Sequence, residues 1–215
     1  MVLFAPSSEC LPYWQVSALD ALVAFLADDS RHRLELVLCQ PHHSLVFAHV
    51  LQRCGAGTGS GTGTGTGTGA SGVAGIAAVG AESALSKLQQ LVVRLPRLAR
   101  ALGECDAFVA ALLRLLCRAG QPAIVRKPLL GVLEALFERQ CGGAGGLAGA
   151  LGTVALARRH GVVAALRAVA LEDASSLIVV DLADSLVGAI EGAERAAVAA
   201  MSGGRAALDA WLADE

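Results

Sequence analysis

Apolar residues recur at helical spacing along most of this chain, and two glycine-rich tracts interrupt the pattern. In 16–27 (VSALDALVAFLA), Leu19, Leu22, Val23 and Leu26 share one side of a 3.6-residue period, with Ser17 placed to cap the start. Asp28, Asp29 and Ser30 break that period and lead into RHRLELVLCQ (31–40). Pro41 opens a third helix, HHSLVFAHVLQRC, which should stop at Gly55. Residues 1–54 therefore read as an N-terminal set of short helices.

Residues 55–81 change character. Their Gly-Thr alternation cannot bury enough apolar surface to offset the ordering entropy of glycine, so a disordered linker or insertion is expected. Helical periodicity returns with SALSKLQQLVVRL (83–95), stops at Pro96 and resumes briefly to Leu102. Asp106 is placed to cap a strong helix carrying Phe108, Val109, Leu112, Leu115 and Leu116 on one side. After Gly120-Gln121-Pro122 comes AIVRKPLLGVLEALFERQ, in which Pro128 should either start or kink the helix. A second glycine-rich loop, CGGAGGLAGALG (141–152), precedes expected helices at 160–171, 176–194 and 205–212.

The chain also echoes itself. VAAL occurs at 109–112 and 163–166, and Ile-Val at 124–125 and 178–179, both at an offset of 54 residues. Without the 12-residue insert 141–152, that offset shortens to about 42, the period of armadillo and HEAT helix pairs. The fold class that follows is all-α: an armadillo/HEAT-like helical solenoid fragment over 82–215, with the Gly/Thr-rich insertion ahead of it.

Composition supports helices over an aromatic β core, since 54% of the 215 residues are hydrophobic and only 4% aromatic. The long uncharged stretches are dominated by glycine and small residues, so no membrane span is expected. The start, MVLFAPSSEC, has no basic region and no long apolar region, so no secretory signal is expected and a cytoplasmic setting follows. Six cysteines without a C-x-x-C pair then read as reduced thiols. Cys39, His42, His43, His49 and Cys54 crowd sixteen residues, but no second knuckle completes a tetrahedral zinc site, and no metal is expected.

Charge is uneven although the net value is only −2. Residues 84–139 carry nine Lys/Arg against four Asp/Glu, and 171–215 carry nine Asp/Glu against two Arg. Neither half is basic or aromatic enough to point to nucleic acid. The basic half contains the candidate site: Arg114 and Arg118 at i,i+4, Arg126 and Lys127 at the start of the next helix, and Arg94 and Arg97 upstream. Solenoids hold extended or acidic partners along a groove, so these six residues are the expected protein-binding stripe. The bland reading is that they only solubilise an apolar-rich array. Asp181 and Asp184, one turn apart, read as solvated carboxylates, and His160 as a surface or capping residue at a helix start.

Residues 67–72 spell GTGASG, the G-x-G-x-x-G of dinucleotide-binding folds, and a small NAD(P)-type enzyme is the alternative reading. That fingerprint requires a strand before its first glycine, where this chain has only Gly and Thr, and an acidic residue at the end of a second strand. No cofactor is expected, and no catalytic residue is assigned.

With the helix pairs laid out, the order of blocks resembles a known family. LDALVAFLADDSRHRLELVLCQPHHSLVFAHVLQ, LSKLQQLVVRLPRLARALGECDAFVAALLRLL, AIVRKPLLGVLEALFE and ARRHGVVAALRAVALEDASSLIVVDLADSLV are similar, in turn, to segments of one region. That region is the C-terminal armadillo-like part of fungal septation-initiation protein kinases, relatives of MAP kinase kinase kinase epsilon. The resemblance implies a non-catalytic scaffold in cytokinesis signalling, with association at the spindle pole or septum. Pro128 and the two glycine tracts depart from the family pattern. The kinase motifs H-R-D and D-F-G are absent, and the only lysines, Lys87 and Lys127, have no strand-like context.

Overall fold

The computed structural model describes residues 13–26, 31–56, 70–141, 147–174 and 176–213. Among them are ten helices and no strand: α1 (Tyr13–Phe25), α2 (Arg31–Leu38), α3 (Pro41–Ala56), α4 (Ala70–Arg94), α5 (Pro96–Gly103), α6 (Asp106–Leu116), α7 (Ala123–Cys141), α8 (Leu147–His160), α9 (Val162–Glu172) and α10 (Leu177–Ala213). The all-α expectation holds. Asp28, Asp29 and Ser30, read as the break before the second helix, and most of the Gly/Thr tract lie outside the described residues.

Several boundaries move. Ser17 lies inside α1 rather than ahead of it. The tract expected to run to residue 81 yields to helix at Ala70, because adding a residue to an existing helix costs far less than nucleating one. Likewise, α8 starts at Leu147 inside the expected loop 141–152. His160 closes α8 instead of opening the next helix, and Gly161 (φ +63°) makes the turn into α9 in the left-handed region that glycine enters freely. The two expected C-terminal helices are one 37-residue helix, about 55 Å long. The Ser-Gly-Gly stretch fails to stop it, since no proline intervenes; Ser202 Oγ lies within the helix and donates to the Val198 carbonyl (2.9 Å). Pro128 neither starts nor ends α7, which runs through it from Ala123.

Proline does set the α4–α5 corner. Pro96 disfavours helical geometry at Leu95, which adopts φ −116° and ψ 88° while its side chain is fully buried. The backbone N–H of Arg97, one of the unpaired donors at the start of α5, is taken by the Glu35 carboxylate of α2 at 2.7 Å. Asp106, expected as a cap, is instead the first residue of α6. Cys105 is the cap position, and it makes no side-chain capping bond.

The packing is regular. α3 lies on α6 and α6 touches α9; α4 lies on α7 and α7 on α10; α5 packs on α7 and α8 on α10. α1 lies on α4, so the N-terminal helices share one core that runs from Leu19 to Ile190 rather than forming a separate body. The sequence echo includes buried positions on four of these helices. VAAL lies in α6 and in α9, with Leu112 and Leu166 both fully buried. Ile-Val opens α7 and α10, with Val125 and Val179 inside and Ile124 and Ile178 about half exposed.

Candidate functional site

Two of the six predicted basic residues meet in a groove. α3 turns Val46, Phe47, Val50, Leu51 and Cys54 inward, and α6 does the same with Phe108, Val109, Leu112, Leu115 and Leu116. The seam between these helices leaves a groove of about 210 Å³ lined by Leu51, Gln52, Ala111, Arg114, Leu115 and Arg118. Its floor is apolar and buried; Arg114 stands on α6, while Arg118, expected on the same helix, lies just past its C-cap Cys117. Arg114 is exposed, and its Nε donates to the carbonyl of Ala110 (3.2 Å), which orients the guanidinium along its own helix. Among the described residues no carboxylate pairs with Arg114. Periodicity singled out the two arginines; it could not supply Leu51 and Gln52, which arrive from a helix about sixty residues away in sequence.

The stripe does not survive as a whole. Arg126 is buried, with its side chain 1% exposed, and is a structural tie rather than a binding residue. Its Nε and one terminal nitrogen donate to the carbonyls of Leu116 (3.3 Å) and Arg118 (3.1 Å), closing the C-terminal end of α6. Its two terminal nitrogens lie 2.7 Å from Glu172 and Asp173 at the end of α9. Burial by itself would lower its pKa, but the hydrogen bonds to Asp173 and Glu172 outweigh that and hold it above the ordinary arginine value. Glu172 also accepts from the backbone N–H of Gly120 (3.0 Å), the left-handed residue (φ +70°) of the α6–α7 turn. That bond, with Arg126, lowers the Glu172 pKa. Lys127, Arg94 and Arg97 are exposed but do not line the α3–α6 groove.

The histidine and cysteine cluster serves packing. His43 is buried, and its Nδ1–H donates to the Val37 carbonyl (2.6 Å), tying α3 to α2. His49 Nε2 accepts from Arg53 Nε (3.4 Å). Cys54 is buried in apolar surroundings that push its thiol up to about 12. Among the described residues, no group of three or more His, Cys, Asp or Glu side chains is placed to hold a metal ion. A larger cleft, about 380 Å³, opens between the α2–α3 and α5–α6 corners and includes the half-buried thiols Cys39 and Cys105. Burial, then the nearby Glu35 charge, raises the Cys39 pKa, which favours the neutral thiol over the nucleophilic thiolate.

His160 sits 3.2 Å from Asp106, which also accepts from Arg159 (3.0 Å), so α8 is clamped to the start of α6. Asp181 and Asp184 are exposed on α10 with no cation paired to either among the described residues. In GTGASG, Ala70, Ser71 and Gly72 form the first turn of α4, while Gly67 and Gly69 lie outside the described residues. Among the described residues no helix is long and apolar enough to cross a membrane. Comparison of the chain with protein-family models, curated proteins and solved structures finds no match.

Proposed function

We propose that this chain is a non-catalytic interaction module whose α3–α6 groove receives an acidic segment of a partner protein. The carrying observation is Arg114: an exposed guanidinium, unpaired with any carboxylate among the described residues, beside Arg118 and over an apolar floor. An exposed cation on a groove wall with a second arginine beside it suits an acidic helix of a partner. The surrounding architecture supports a scaffold. α3 packs on α6, α4 on α7 and α7 on α10, a succession of helix-on-helix contacts such as an armadillo-like stack would have. By resemblance to septation-initiation kinases, the scaffold would serve a cytoplasmic Ser/Thr kinase of cytokinesis.

The test is fluorescence anisotropy with a labelled helical peptide carrying Asp or Glu one turn apart, for wild type and for Arg114→Glu/Arg118→Glu. Binding should weaken at least tenfold in the variant, and also in the wild type when salt shortens the Debye length from about 10 Å to about 3 Å. Arg126 is unsuitable for this test, because its replacement acts on the fold. Equal binding by wild type and variant would overturn the groove assignment.

A further inference from the structure

The molecule carries both halves of such an interaction, on different surfaces. The first turns of α10 place Leu177, Asp181 and Asp184 along one exposed helix face, with Ile178 beside them. Leu177 is 74% exposed and Ile178 57%, although large apolar side chains at such positions gain most from being covered. The two aspartates have no cation partner among the described residues, just as Arg114 has no carboxylate. Asp181 and Asp184 stand one helical turn apart on α10, whereas Arg114 lies on α6 and Arg118 just beyond that helix's C-cap, Cys117.

We infer that the occupant of the α3–α6 groove is a second copy of this chain, presenting the N-terminal face of α10. Asp181 and Asp184 meet Arg114 on the groove wall, and Leu177 and Ile178 are covered where α10 lies along the α3–α6 seam. This rests on the groove's role as an acceptor of acidic helices and names its partner. The basic 84–139 and acidic 171–215 segments give long-range attraction between copies, and a net charge of only −2 opposes association weakly. The contact joins two different surfaces, so each copy both receives and presents.

Sedimentation equilibrium over a concentration series tests it. Wild-type mass should rise above the monomer value with concentration, and the rise should shrink at high salt. Arg114→Glu/Arg118→Glu and Asp181→Arg/Asp184→Arg, each confirmed folded by circular dichroism, should each remain monomeric. An equimolar mixture of the two should associate again, because every groove then meets a face of opposite charge. A wild type that stays monomeric up to about 1 mM, or a mixture that does not recover, overturns self-association. If that same wild type still binds the acidic peptide, only the identity of the partner falls. If it binds neither, the groove assignment falls too.

Discussion

Replacing Arg126 by Met keeps most of the side-chain volume but removes every polar contact of a buried guanidinium. The carbonyls of Leu116 and Arg118 lose donors at 3.3 and 3.1 Å, and Glu172 and Asp173 lose a cation at 2.7 Å. Breaking a fully buried ion pair on one side costs about 3–5 kcal/mol. Here Glu172 and Asp173 are 39% and 18% exposed and can be rehydrated, which moves the loss to the low end. The orphaned carbonyls add back about 1 kcal/mol or more, because they lie at a packed helix end. The expected loss is therefore about 3 kcal/mol, or about 6–12 °C in Tm for a domain of this size. Urea unfolding followed by circular dichroism measures it. A double-mutant cycle with Asp173→Asn should show coupling above about 1 kcal/mol. A loss under about 1 kcal/mol with no coupling would mean that Arg126 is held by its stem alone, and the account of the α6–α9 tie would be wrong.

Glu35→Ala removes the acceptor for the Arg97 N–H at the start of α5 and should cost about 1–2 kcal/mol in the same urea assay, the scale of a lost N-cap. Glu35→Gln, which retains an acceptor oxygen, should recover part of that; losses equal to those of Glu35→Ala would show that the acceptor bond to Arg97 is not what Glu35 contributes. The Glu172 pKa is lowered from its ordinary 4.5 by the Gly120 N–H and by Arg126, so its contribution is complete above about pH 4.5 and is lost as pH falls through the folded value. Tm of the wild type should thus fall more steeply than that of Glu172→Gln below pH 4.5, and parallel curves would refute the linkage. Cys54, pushed up to about 12 from an ordinary 9.0, stays a neutral thiol in the fold, and its contribution is lost as pH rises from 9 towards 12. Peptide-resolved alkylation at pH 8 should modify exposed Cys117 well before Cys54, with Cys54 reacting only in urea; equal rates in buffer would contradict its burial.

Periodicity made the helices legible, because burying one face of a helix is a local demand written every three or four residues. It located the cores of α3, α4, α6 and α7, and the 54-residue echo paired Leu112 with Leu166 and Val125 with Val179, all four buried. It failed at the glycine tracts, where α4, α8 and α10 extend through residues of poor propensity; there, contacts made elsewhere along the helix outweigh the local cost.

Arg126 and Lys127 are the sharpest case of what sequence leaves open. Side by side at the start of one helix, they read as one basic patch, yet Lys127 faces solvent and Arg126 is buried. The difference comes from Glu172, 46 residues away, and its neighbour Asp173, which the packing of α9 against α6 brings to one side of the turn. The groove has the same origin. Arg114 was set by its place on α6, but the groove's floor and far wall exist only because α3 lies against that helix. Sequence alone determined which residues want to be buried and which charges stand one turn apart. Only the tertiary structure decided which of those charges meet a partner within the chain, because pairing depends on distance in space and not along the backbone.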